Sequence, residues 1–129
     1  MRVYITGAAG FIGFHLAKLL LEEGDAVRGH DGMTDYYDLR LKEGRLAQLT
    51  QQPGFTFHRG MLEEAGDLAV DIKGFSPEVI VHLGAQAGVR YSLEAPRSSL
   101  SSHIDGTFNV PEAARDAGAR HLLLASTST

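Results

Sequence analysis

Three glycines at a spacing of three, Gly7, Gly10 and Gly13, stand between a β-forming run and a helical pattern. Val3, Tyr4 and Ile5 run straight into Thr6-Gly7, which reads as a buried parallel strand stopped by a turn. Phe11, Ile12, Leu16, Leu19 and Leu20 begin a helical pattern at once. Strand, glycine turn and helix start in this order make a phosphate site. Gly7 permits the tight turn, Gly10 lets a pyrophosphate approach the backbone, and Gly13 lets the helix lie close on the strand. The N–H groups of the first helical turn, Phe11 and Ile12 among them, have no partner within the helix and face the anion.

Glycines alone do not decide this, because an ordinary strand-to-helix turn uses them too. The next element does more. Glu23-Gly24-Asp25 ends the helix with a glycine past its last turn. Ala26, Val27 and Arg28 read as a second strand that closes at Gly29-His30-Asp31. Asp31 lies near the offset of ~20 residues at which an acidic side chain binds an adenosine ribose. The alternative is a solvated turn aspartate. With the glycines in place the ribose role is the expectation. Arg28 or Arg59 would blunt a preference for NAD over NADP if either reached the site.

The rest of the chain repeats strand and helix. Leu39, Leu46 and Leu49 mark a helix face, with Gly44 inside it at a cost of roughly 1 kcal/mol against alanine. Pro53-Gly54 turns into a strand over Phe55–Arg59, and Gly60-Met61-Leu62 follow at its C-terminal end, where ligands gather in open α/β sheets. Ala65, Leu68, Ala69 and Ile72 form another helix face, closed by Gly74 and Pro77. Val79 to Leu83 is a nearly continuous apolar run, as for a strand buried on both faces. Gly84-Ala85 leave room for something flat over its end. Residues 86–96 have no clear period and read as a functional loop. A long helix is expected over 97–117, bent or divided at Pro111, then Gly118 as its C-terminal glycine and a fifth strand over His121 to Ala125. Five strands with helices between them give a doubly wound parallel α/β sheet of order 3-2-1-4-5 with right-handed crossovers.

At 129 residues this is one domain's worth, so residues 1–129 read as a single dinucleotide-binding domain. The net charge of −4 offers no basic footprint for nucleic acid. The chain has no cysteine, so no disulfide and no thiolate metal site, which suits a cytoplasmic protein. Its apolar runs are far short of a membrane span, and a strand at the N-terminus leaves no place for a signal peptide. The six histidines are spread one per element with no i, i+4 pair on a helix, so no metal site is expected. Ser126 to Ser128 lack the G-x-S-x-G elbow of a serine hydrolase.

The stretch GAAGFIG, then Asp31, then Asp35-Tyr36-Tyr37-Asp38, then HLGAQAGVRYS over His82 to Ser92, resembles the extended short-chain dehydrogenase/reductase family. Within it the resemblance is to NAD-dependent nucleotide-sugar epimerases and dehydratases, UDP-glucuronate 4-epimerases above all. The resemblance runs over nearly the whole chain and reaches only the N-terminal part of such an enzyme. It implies a Rossmann fold that holds NAD, with Gly7, Gly10, Phe11, Ile12, Gly13, Asp31, Met61, Leu62, Leu83, Gly84, Ala85 and His103 as cofactor contacts. It places Arg90, Tyr91 and Ser92 beside a nucleotide-sugar substrate, and Tyr36-Tyr37 near the adenosine side, where loop packing is the preferred reading. Thr127 matches the catalytic serine or threonine, which in the family works with a tyrosine acid/base and a lysine four residues after it. Those two, and the substrate domain, are expected beyond Thr129. Four positions depart from the family: Met61 replaces an adenine-binding aspartate, Gly84 an alanine and His103 an asparagine, and Pro111 falls inside the expected helix. Two function classes follow, the cofactor half of an epimerase, inactive alone, or a stand-alone non-catalytic dinucleotide-binding or interaction domain. The fifth strand, left at a sheet edge, is expected to pair with a second copy.

Overall fold

Alternating strands and helices leave each strand parallel to its neighbour, because a helix must carry the chain back before the next strand begins. The computed structural model describes residues 1–33, 39–62, 64–83 and 109–124. Its elements are β1 (Arg2–Thr6), α1 (Phe11–Glu22), β2 (Ala26–Asp31), α2 (Leu39–Thr50), β3 (Phe55–Arg59), α3 (Ala65–Phe75), β4 (Val79–His82) and β5 (His121–Leu124). Residues 109–117 are helical and precede β5. The sheet order is β3-β2-β1-β4-β5, all pairs parallel, as expected.

Period-two alternation sends successive β1 side chains to opposite faces. Val3 and Ile5 join Phe14, Ala17, Val27, Leu49, Phe55 and Val81 in the core under α1 and α2. Tyr4 joins Leu68, Ile72, Ile80, Val110, Ala113 and Ala114 in the core under α3 and the 109–117 helix. Leu68 and Ile72 are fully buried one turn apart on α3. Each such side chain contributes about 1.5–3 kcal/mol, and truncating either to alanine costs about 2–5 kcal/mol. These two stripes put helices on both faces of the sheet.

Some boundaries differ from the sequence reading. α3 runs through Gly74 to Phe75, and Ser76 takes the left-handed cap with φ 53°, its N–H bonded to the Ile72 carbonyl. A Cβ at Gly74 would meet nothing within 4 Å, so that glycine neither breaks nor crowds the helix. β4 stops at His82, although the Leu83 N–H still bonds the Thr6 carbonyl at 3.2 Å. β5 stops at Leu124. Gly118 is left-handed, φ 72°, as a C-terminal glycine. Pro111 lies within the helical residues 109–117, and the earlier part of the expected helix lies outside the described residues. Outside them too lie Tyr36, Tyr37, Gly84, Ala85, Arg90, Tyr91, Ser92, His103 and Thr127.

Candidate dinucleotide site

β1 ends at Thr6 and the chain turns at Gly7, whose φ of 75° favours a residue without Cβ. The turn is tied to the neighbouring strand. Gly7 N–H donates to the His30 carbonyl at 2.7 Å, and Ala8 N–H to the same oxygen at 3.3 Å. Gly10 N–H donates back to the Gly7 carbonyl at 3.1 Å, and Phe14 N–H to the Gly10 carbonyl at 2.9 Å. A Cβ on Gly13 would overlap the Gly7 carbonyl and lie 2.9 Å from its carbon. The close approach that Gly13 permits is therefore between α1 and the turn. At Gly10 a Cβ would sit 3.2 Å from the Gly7 oxygen, a tighter fit than most side chains tolerate.

The start of α1 is open. No side chain caps it and its first turn holds no acidic residue. Phe11 and Ile12 turn outward, 56% and 68% exposed. A helix N-terminus in this state favours an anion through its free N–H groups and its dipole.

Asp31 closes the other side. Its Oδ2 accepts the Ala9 N–H at 3.0 Å and its Oδ1 the Met33 N–H at 2.8 Å. It is buried, and Lys42 Nζ stands 3.4 Å from Oδ1. Arg45, one turn further on α2, donates to the Ala9 carbonyl at 3.2 Å and lies over the Phe11 ring. The sequence reading singled out neither cation. Lys42 and Leu49, seven apart and both buried, were the available signal.

Met61 and Leu62 follow β3 on the same rim. The Gly60 N–H bonds the Asp31 carbonyl at 3.2 Å. The Met61 sulfur lies 2.5 Å from where a Gly32 Cβ would be, so the side chain covers the backbone beside Asp31. Leu62 is buried, and its carbonyl accepts the Asn109 amide at 2.8 Å, a contact the sequence reading did not anticipate. Leu83 N–H also donates to Thr6 Oγ1 at 3.0 Å, and that oxygen bonds His82 Nδ1 at 2.7 Å. The ends of β1 and β4 are thereby locked together. Gly7, Gly10, Phe11, Ile12, Gly13, Asp31, Met61, Leu62 and Leu83 thus line one end of the sheet.

Arg28 points elsewhere. It leaves through the α3 face and pairs with Asp71, with bonds of 2.6 to 3.0 Å from Nε and Nη2. Tyr4 donates its hydroxyl to the same carboxylate at 2.7 Å. His58 bonds Asp67 at 2.7 Å and stacks on His30, ring centroids 5.7 Å apart. Burial and the Asp71 hydrogen bond push the Tyr4 hydroxyl far above its ordinary range. Burial pushes Asp71 up, but Arg28 and Tyr4 outweigh it and hold the carboxyl below its ordinary value. Burial, with His58 alongside, pushes His30 down. The sequence reading treated the histidines one element at a time. Register pairing of His30 with His58, and the i, i+4 pair Asp67 and Asp71, bring them together. Among the described residues no histidine or carboxylate cluster is arranged to hold a metal ion, and no helix is long and apolar enough to cross a membrane.

Known proteins resemble this chain in sequence and in fold. The probable UDP-glucuronate 4-epimerase of Rhizobium meliloti is 51% identical over 129 residues, all of this chain and 38% of that protein. The UDP-glucuronate 4-epimerase of Thermodesulfobacterium geofontis is 42% identical over 97% of this chain and 39% of its own length. The chain therefore spans under half the length of these relatives. Among solved structures, a UDP-glucuronic acid 4-epimerase variant from Bacillus cereus superposes with a TM-score of 0.85 at 30% identity. It was crystallised with NAD and UDP-4-deoxy-4-fluoro-glucuronic acid, and the match covers 98% of this chain and 40% of that one. The Thermus thermophilus UDP-glucose 4-epimerase, in complex with NAD, superposes with a TM-score of 0.83 at 31% identity over 98% of this chain and 38% of its own. A sequence model of the family described as GDP-mannose 4,6 dehydratase matches residues 4–129, and the chain belongs to that family of nucleotide-sugar epimerases and dehydratases.

Proposed function

We propose that this chain is the NAD-binding part of a UDP-glucuronate 4-epimerase. The observation that carries it is the hydrogen bond from the glycine turn to Asp31 beside an uncapped helix start. The first N–H groups of α1 hold the pyrophosphate, with Gly10 leaving it room. Asp31 Oδ1 takes the Met33 N–H and the Lys42 ammonium, while Oδ2 keeps a second acceptor site beside the Ala9 N–H, so the carboxylate can take a ribose hydroxyl there. Met61 supplies an apolar wall to the adenine in place of a hydrogen bond. On the strength of the family resemblance, Leu83, Gly84 and Ala85 carry the cofactor's middle ribose or nicotinamide, His103 helps to position the cofactor, and Arg90, Tyr91 and Ser92 lie on the sugar side. NAD, when bound, accepts hydride from the sugar C4 and returns it to the opposite face.

Loss of that hydride needs a base for the C4 hydroxyl proton, a contribution of typically 10²–10⁴-fold. Thr127 stands at the family's serine/threonine position, and a threonine hydroxyl is too weak a base alone. None of Tyr4, Tyr36, Tyr37 and Tyr91 has a lysine four residues on; those positions hold Ala8, Arg40, Leu41 and Ala95. The 129 residues by themselves are therefore expected to bind NAD without converting UDP-glucuronate. The departures from the family pattern at Met61, Gly84, His103 and Pro111 favour a second reading, a stand-alone non-catalytic dinucleotide-binding domain. Incubation with NAD and UDP-glucuronate tests the first. UDP-galacturonate above a no-protein control, whether or not it survives Thr127→Ala, contradicts the inactivity of these residues alone. Calorimetry with NAD tests the binding, and no heat at millimolar cofactor rejects both readings.

A further inference from the structure

A lysine on a surface helix ordinarily keeps its ammonium in water. Lys42 does not. Its side chain is 10% exposed, and Nζ lies 3.4 Å from Oδ1 of Asp31, which is 6% exposed. At that burial the pair is poorly screened by salt. α2 presents Lys42 and Arg45 one turn apart, and the two take different partners. Arg45 bonds the backbone of the glycine turn at the Ala9 carbonyl. Lys42 bonds the carboxylate itself.

We propose that Lys42 sets how strongly this site rejects a phosphate on the adenosine 2′-oxygen. The inference rests on the reading of Asp31 as the ribose ligand. An acidic side chain at this place favours a free ribose diol, and a cation nearby is what accommodates a 2′-phosphate. Here the two stand together. Asp31 alone sets a full negative charge against a group carrying about −1.5 to −2. Lys42 offsets that charge at the carboxylate and lies within reach of the same ribose edge. It narrows the gap between NAD and NADP without closing it, since one cation faces both a carboxylate and a near-dianion.

Calorimetric titration of the 129-residue chain with NAD and with NADP tests this in the wild type, Lys42→Met, Lys42→Arg and Arg45→Met. Lys42→Met is expected to raise the ratio of the NADP to the NAD dissociation constant about tenfold or more. Lys42→Arg keeps the wild-type ratio, because the charge is kept. Arg45→Met weakens both cofactors alike, as a change in the turn backbone would. A ratio within twofold of wild type in Lys42→Met, with NAD still bound, overturns the inference and leaves the cofactor reading standing. Wild-type protein that binds neither dinucleotide removes both. Should Lys42→Met not fold, Lys42→Gln makes the same comparison with the same outcomes.

Discussion

The Asp31 carboxylate accepts the backbone N–H of Ala9 at 3.0 Å, so the end of β2 and the glycine turn form one hydrogen-bonded unit. Asp31→Ala leaves the Ala9 and Met33 N–H groups without that acceptor, each at a cost of about 1–3 kcal/mol where water cannot reach. Urea denaturation at pH 7.5 should show a clear loss of stability. A variant as stable as wild type would mean that water replaces the carboxylate fully.

NAD should bind more tightly than NADP. Asp31 accepts hydrogen bonds from a ribose diol and repels a 2′-phosphate. Arg28 does not blunt this preference, because it is committed to Asp71 on the other face. Parallel titrations decide the matter, and equal or tighter NADP binding contradicts it.

Gly13→Ala should abolish cofactor binding and destabilise the fold. The added methyl would overlap the Gly7 carbonyl, and backbone cannot rotate away as a side chain can. Overpacking of this kind costs about 1–3 kcal/mol or more. Gly44→Ala is the contrast, since nothing lies within 4 Å of its new methyl. It should stabilise by about 0.5–1 kcal/mol through helix propensity, read from the same denaturation curves.

Acid should weaken the fold in two steps. His30 is 1% exposed and its Nε2 has no hydrogen-bond partner among the described residues, and burial holds its pKa below the ordinary value. The unfolded chain takes up that proton near pH 6.5 and the folded chain only at lower pH. The stability is therefore fully present above about pH 6.5 and lost as pH falls toward the folded value. Asp71, held low, adds stability above about pH 4 that is lost at more acid pH. In His30→Leu the stability should vary less between pH 7.5 and 5. A slope equal to that of wild type would assign the acid sensitivity to another group.

β5 should bring two copies together. Among the described residues it pairs only with β4, and Leu123 and Leu124 are 57% and 50% exposed. An unpaired apolar edge is a template for another strand. Light scattering should give a mass above the monomer, reduced by Leu123→Lys. A monodisperse wild-type monomer at high concentration would count against this.

The parallel sheet was legible because its signals are local. Glycine spacing, the strand before it and the apolar run at Val79 each depend on neighbours in sequence. So did the glycine turn and Asp31, a fixed offset apart. What escaped was set by register. Lys42 meets Asp31 only because α2 lies against the end of β2, and His30 meets His58 only because β2 and β3 pair residue for residue. α3 passed Gly74 because Ser76 could take the left-handed cap that glycine was expected to supply.

The turn between β1 and α1 is held by two N–H groups on the His30 carbonyl and a third on Asp31. Its shape is thus set when β2 docks on β1, before any ligand arrives. A ligand at such a loop loses little further backbone entropy on binding. Association at this end should be that of a rigid receptor: single-phase kinetics, a rate that rises linearly with ligand concentration, and hydrogen-exchange protection of Gly7 and Ala8 already high in the free chain.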